Sequence, residues 1–120
     1  MNKFSEVNFL DINENEEYVP TGKAEILYGR MFESVGCSPF NSGLFEAMKK
    51  TGAQGIFCGH DHINDFHINI DGIDIYQTLG AGYFTYGKER GGRLIILDEN
   101  NPKKIITQSI EIERITTENI

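Results

Sequence analysis

Two imidazoles stand one residue apart in Gly59-His60-Asp61-His62, and no other pair of side chains on this chain is better suited to chemistry. Neutral imidazole is the commonest metal-ligating side chain. Successive side chains of an extended chain point to opposite faces, so His60 and His62 are expected to project together and Asp61 away from them. The pair would then share one pocket. Gly59, which has no Cβ, leaves room for a sharp turn or for the close approach of an ion. Asp61 and Asp65 are read as groups that shape the turn or accept a histidine N–H, not as general acids. On the residues alone a second reading stays open, in which the two imidazoles are simply hydrogen-bonded within a loop. His67, the third histidine, is expected on the surface of a hairpin.

The elements that must position these groups are legible around them. The apolar run Ile56 to Cys58 reads as a short buried strand that stops at Gly59. In open α/β sheets, ligands bind in loops just past the carboxyl ends of strands, where this pair falls. Ser38-Pro39 interrupts what precedes, and Asn41 or Ser42 offers a cap for a helix from about 43 to 51. Leu44, Phe45 and Met48 share a face of that helix with Ala47, Glu46 falls in an early turn, and Lys49 and Lys50 suit its negative end before Gly52 stops it. Asp71-Gly72 predicts a tight hairpin between Phe66–Ile70 and Ile73–Thr78. A second hairpin is expected from Arg93–Asp98 and Ile105–Ile112. Between them runs the loop from Gly80 to Gly87, with Tyr83 and Tyr86 either lining a substrate mouth or packing beneath the glycines. That loop lacks the spacing of a nucleotide fingerprint.

Residues 1 to 35 are polar and poorly periodic, with glutamates at 14, 16 and 17, and are expected to be irregular. The resulting organisation is one domain at most over 1–120, with an αβ core at 36–113 and a frayed tail at 114–120. At 120 residues the chain is short for an enzyme that assembles its site from many loops. Eleven Lys and Arg against 18 Asp and Glu give a net charge of -7, which argues against a nucleic-acid or acidic-membrane surface. The amino terminus lacks the apolar stretch of a secretory leader, so a cytoplasmic location is expected for the chain as given. Cys37 and Cys58 do not have metal or redox spacing and are expected to be buried thiols.

With the flanks added, the string becomes more specific. Ser38-Pro39, Asn41 to Phe45, Gly59-His60-Asp61-His62-Ile63-Asn64-Asp65-Phe66, the glycine-rich turn Gly80 to Gly87 and Arg93 occur in that order. Together they resemble the C-terminal part of a calcineurin-like metallophosphoesterase, closest to the short purple-acid-phosphatase-like branch. The resemblance implies an α/β fold, the C-terminal portion of an αββα sandwich with one main helix, about five strands and two hairpins. It implies a phosphoric ester hydrolase in which His60 and His62 each ligate one of two metal ions, with Gly59, Asp61, Asn64 and Asp65 supporting them. Paired ions in such sites sit about 3.5 to 4 Å apart and generate a nucleophile from bound water.

The same resemblance exposes what is missing. The family's opening Asp motifs, its Gly-Asn-His loop and its further histidine have no counterpart, because His60, His62 and His67 are the only histidines. The resemblance covers residues from about 36 to 97. The expectation is therefore a fragment, inactive alone, of an enzyme using two ions (Fe, Mn or Zn) on a phosphate ester, with partial or no metal occupancy in this chain. Ile56, Ile95 and Ile106 are expected to form an exposed apolar face that drives self-association or docking to a missing N-terminal half. A non-catalytic binding or regulatory remnant, or a small metal-binding module, is the alternative.

Overall fold

The computed structural model of the chain describes residues 24–38 and 41–113. Four strands form the larger sheet: β1 (Ala24–Arg30), β2 (Gly55–Cys58), β3 (Asp65–Ile70) and β4 (Ile73–Gln77). Their order across the sheet is β1-β3-β4-β2, with β2 parallel to β4 and the other neighbours antiparallel. β5 (Gly91–Leu97) and β6 (Ile105–Glu111) pair antiparallel as a separate two-stranded sheet. The one helix among the described residues, α1 (Leu44–Lys50), lies between β1 and β2 in sequence. This is an α/β arrangement with both expected hairpins.

Alternation along the strands separates the two faces of the larger sheet. Phe66, Ile68 and Ile70 of β3 pair with Gln77, Ile75 and Ile73 of β4 on one face. Met31, Phe66, Ile68, Ile70 and Ile75 form the buried core there, with Ala24, Val35, Phe45 and Ile56 packed against it. Phe45 is thus the residue by which α1 meets the sheet. The opposite face carries a row of rings. Phe57 stacks on Tyr76 at 4.6 Å and His67 stacks on Tyr76 at 4.2 Å between centroids. His67 also bonds Asp74 at 2.9 Å, so it is packed on the sheet and only partly a surface residue.

The smaller sheet reaches this second face through a polar tie. Arg93 of β5 bonds Asp65 Oδ1 at 2.7 Å and the Gln77 carbonyl at 3.2 Å, and its guanidinium sits 5.3 Å from the Tyr76 ring centroid. Ser109 of β6 donates to the other Asp65 oxygen. Both partners of the Asp65–Arg93 pair are nearly sealed from solvent, with side-chain exposures of 6% and 4%. Asp65 is therefore a link between sheets. The outward face of the hairpin is apolar: Leu94, Ile96, Ile106 and Ile110 are each 44–48% exposed, whereas Ile95, expected to share a face with Ile106, pairs with Thr107 and lies on the opposite side.

The local signals are satisfied in chemical detail. Asn41 Oδ1 accepts the Gly43 N–H at 2.9 Å just before α1, in place of a side-chain cap at Gly43 itself. At the other end Ala53 N–H reaches Met48 O and Gly52 N–H reaches Lys49 O, with Gly52 at φ 77°, the paired bonds of a Schellman stop. Asp71 at φ 51° and Gly72 at φ 83° make the tight turn of the first hairpin.

Several expectations are corrected. Residues 24–30, inside the stretch expected to be irregular, form β1, which brings the strand count to six. Its apolar side chains show no clean alternation because a register shift falls between Ile26 and Tyr28. β2 is an edge strand and is only half covered: Phe57 is 38% exposed, and Ile56 is packed against the core rather than on the open face. No residue of α1 is fully buried. Cys37 and Cys58 are both exposed and reduced, although the Cys58 sulfur is tucked against the Tyr76 carbonyl and its burial pushes the thiol pKa up. The irregular reading of 1–23 and the frayed tail at 114–120 concern residues outside those described.

Candidate metal centre

Past Cys58 the chain leaves β2 and does not stay extended. Residues 60–63 form a bend and a turn, so the alternation that would aim His60 and His62 together does not apply. His60 lies in the left-handed region at φ 85°, a conformation that costs a non-glycine residue about 1–3 kcal/mol and persists only when its surroundings hold it. What holds it is Asp61: His60 Nδ1 is 3.2 Å from Asp61 Oδ1. That carboxylate is buried, and the same oxygen accepts the Gly36 N–H at 2.9 Å while Oδ2 accepts from Asn64 Nδ2 at 3.1 Å. Gly36 is needed for this approach, since a Cβ there would lie 2.7 Å from His60 Cε1 and Nδ1.

Asn64 is the hub beneath the turn. Its side chain is fully buried, accepts the N–H groups of Phe32 and Glu33 at 2.9 and 3.1 Å, and donates to Glu33 O at 3.0 Å. Glu33 in turn spans the site: Oε1 accepts the Ile63 N–H at 3.0 Å and Oε2 accepts the Tyr86 hydroxyl at 2.6 Å. That bond to Glu33 raises the Tyr86 pKa above the ordinary phenol value.

His62 is held from the other side. Its Nδ1 is 2.6 Å from Thr85 Oγ1, its carbonyl accepts the Gly80 N–H at 2.9 Å, and its ring stacks on Tyr86 at 4.6 Å. The loop that supplies these contacts is itself pinned by Arg90. This side chain is fully buried and donates to the carbonyls of Gly82, Thr85, Tyr86 and Glu89 at 2.5–2.9 Å.

One polar network therefore runs from Arg90 through the 82–86 loop to His62 and Tyr86, across Glu33 to Asn64, and on to Asp61 and His60. Both imidazoles have a partner at Nδ1, although the His60 side chain is 78% exposed. A ligating histidine commonly has its other ring nitrogen engaged in this manner, which fixes the ring and turns Nε2 outward. Both Asp61 oxygens are already committed. Among the described residues no three His, Cys, Asp or Glu side chains gather closely enough to hold a metal ion. A zinc-type site takes at least three protein ligands, so the described residues do not by themselves make one. A cleft of about 450 Å³ lined by Tyr28, His67, Arg93, Thr107, Gln108 and Ser109 opens elsewhere, between the two sheets.

Of the residues singled out from sequence, Asp61 and Asn64 are brought under the turn, while Asp65 is diverted to Arg93. Glu33, Gly36, Thr85 and Arg90 were not legible there. Glu33 and Gly36 lie in unpatterned chain, and Arg90 follows Lys88 and Glu89 as what reads like a solvated charge run.

The chain is 35% identical over 89 residues to the Arabidopsis thaliana protein named "Probable inactive purple acid phosphatase 14", covering 73% of this chain and 22% of that protein. It is 36% identical over 76 residues to "Probable inactive purple acid phosphatase 29" of the same plant, covering 60% of this chain and 20% of the relative. The chain thus spans about a fifth of the length of the curated relatives it matches. No family model matches the chain. No solved structure matches it either. The chain is thus similar over most of its length to part of these purple acid phosphatase-like proteins, and its histidine motif with ordered flanks is consistent with a partial metallophosphoesterase.

Proposed function

We propose that the chain is the segment of a metal-dependent phosphoesterase that contributes His60 and His62 as metal ligands, one to each of two ions, and that it has no catalytic activity alone. The observation that carries this reading is the double Nδ1 anchoring, His60 to Asp61 and His62 to Thr85, which leaves both Nε2 atoms for ligation. Asp61 braces the bend at His60, Asn64 fastens the turn to residues 32–33, and Asp65 secures the β3 end to the second sheet. His60 and His62 would hold Fe, Mn or Zn together with ligands from the rest of the protein, and the chemistry such ions would supply is charge stabilisation at the phosphoryl group and a more acidic water. Within this chain the residues orient imidazoles; the other ligands belong to the remainder of the protein. That remainder is also the proposed partner for the outward face of Leu94, Ile96, Ile106 and Ile110, and the substrate is a phosphate ester. No helix among the described residues is long and apolar enough to cross a membrane.

The test compares hydrolysis of p-nitrophenyl phosphate, with added Mn²⁺, by the 120-residue chain and by a longer polypeptide in which it is continued to the length of its relatives. Activity only in the longer protein, lost in His60→Ala and His62→Ala, supports the reading. Hydrolysis by the short chain overturns its incompleteness. A second reading, a non-catalytic module of the same fold, is favoured by the word "inactive" in the relatives' names. It predicts no hydrolysis at either length.

A further inference from the structure

Glu33 lies between β1 and α1 in chain without periodic pattern, yet its backbone and its carboxylate all bond to the histidine turn or to the loop beside it. Its N–H donates to Asn64 Oδ1 at 3.1 Å and its carbonyl accepts from Asn64 Nδ2 at 3.0 Å. One carboxylate oxygen accepts the Ile63 N–H at 3.0 Å, and the other accepts the Tyr86 hydroxyl at 2.6 Å. We infer that Glu33 is the positioning residue of His62: its carboxylate fixes the Tyr86 ring, and that ring sets the plane of the imidazole. The inference rests on the phosphoesterase reading, to which it adds the group that aims one of the two ligands.

The Tyr86 ring lies nearly face to face with the His62 imidazole, 4.6 Å between centroids and 25° between planes. Its hydroxyl also has a hydrogen bond with the His62 backbone. Burial does not hold this tyrosine, which is 52% exposed, so its ring depends on the bond to Glu33 to stay against the imidazole. Both Glu33 oxygens accept, one from an N–H and one from an O–H; an ionised carboxylate can do so twice, whereas an amide has a single accepting atom. The carboxylate thereby joins the turn to the 80–87 loop exactly where the two press together. A Cβ at Gly80 would stand 3.1 Å from His62 Cβ, and one at Gly87 would stand 2.2 Å from Ile63 Cγ2. The Thr85 contact at Nδ1 fixes one point of the His62 ring and leaves it free to tilt; the stacked tyrosine removes the tilt. His60 is anchored by Asp61 instead, so the role concerns one imidazole only. Because the bonds to Asn64 come from the Glu33 backbone, truncating its side chain leaves the turn attached.

The experiment follows the ring signals of His60, His62 and His67 by NMR in the full, metal-free chain. The face of Tyr86 shields the His62 ring protons, and Glu33→Ala should remove most of that shielding while the His60 and His67 signals stay as in the parent. Tyr86→Phe, which keeps a ring but loses the bond to Glu33, should move His62 in the same direction. The double variant should go no further at His62 than Glu33→Ala alone, because the carboxylate acts through Tyr86. Unmoved His62 signals in Glu33→Ala, equal changes at all three histidines, or additive effects in the double variant would each overturn the role. In the longer polypeptide, Glu33→Ala should raise the Mn²⁺ concentration needed for half-maximal hydrolysis of p-nitrophenyl phosphate about tenfold, the scale of losing a group that orients a ligating histidine. An unchanged Mn²⁺ requirement would overturn it too. Absence of hydrolysis in the longer parent would sink the phosphoesterase reading, while Glu33-dependent shielding of His62 would still uphold the positioning.

Discussion

His60 is the residue where the tension between stability and use is sharpest. Its φ of 85° suits glycine, yet an imidazole stands there, anchored to a buried carboxylate. Replacing it separates the two roles. His60→Gly and His60→Ala both remove the ring, and only the alanine keeps the backbone penalty. Thermal or urea unfolding should therefore find the glycine variant more stable than the alanine variant by about 1 kcal/mol. Equal stabilities would show that the surroundings do not hold this residue in the left-handed region. Tyr86 offers a second measurement. Its bond to Glu33 raises the phenol above its ordinary 10.0, so the folded protein holds that proton more tightly than the unfolded chain. The sign follows: any stability from this bond is complete below the unfolded phenol pKa and fades as alkaline pH passes through the folded one. In an ultraviolet titration Glu33→Gln should bring one tyrosine ionisation down toward the ordinary value.

Among the elements, the β5–β6 hairpin depends most on a single contact. Arg93 supplies the guanidinium that pairs Asp65, and both groups are shielded from water. Deleting one partner of such a pair leaves the other charged and unsatisfied, at a cost of about 3–5 kcal/mol. Arg93→Ala should lower stability by that order in chemical denaturation, with Arg93→Lys recovering only part because a lysine cannot reproduce the fork geometry. β1 is similarly constrained at Gly29, where a Cβ would stand 2.1 Å from the Asp65 carbonyl oxygen at φ 109°. A substitution there must push β1 from β3, and with it the chain that leads to Glu33 and Gly36. The turn itself hangs on Asn64. Asn64→Ala strands buried amide groups, each worth about 1–3 kcal/mol when orphaned, and should disturb the imidazole resonances as well as the melt.

For the molecule as a whole, the unusual feature is apolar surface on the outer side of the smaller sheet. Leu94, Ile96, Ile106 and Ile110 keep nearly half their area in water. Covering a large aliphatic side chain in full is worth about 1.5–3 kcal/mol, so this face retains a substantial unused drive for association. In sedimentation velocity the isolated chain is expected to self-associate, and Ile96→Lys combined with Ile106→Glu to suppress this without lowering the melting temperature. A parent chain that sediments as a monomer at high concentration would remove the case for a missing cover.

The residues alone were enough for everything governed by neighbours a few positions apart. The Asp71-Gly72 hairpin, the α1 helix with its glycine stop and the β2 strand follow from local backbone preference and apolar spacing, which need no distant contact to be decided. The family resemblance was equally visible, because its motif is contiguous. Contacts far apart in sequence were settled only in three dimensions. The pairing of β1 with β3 across some forty residues, the diversion of Asp65 to Arg93, and the burial of Arg90 among four carbonyls depend on hydrogen bonds between distant segments that offset the desolvation of buried polar groups, and no local pattern encodes them. The direction of the imidazoles belongs to the same class: alternation predicted it from an extended chain, and the bend at His60, where Asp61 and Asn64 are tied to Gly36 and Glu33 from elsewhere in the fold, replaced that rule.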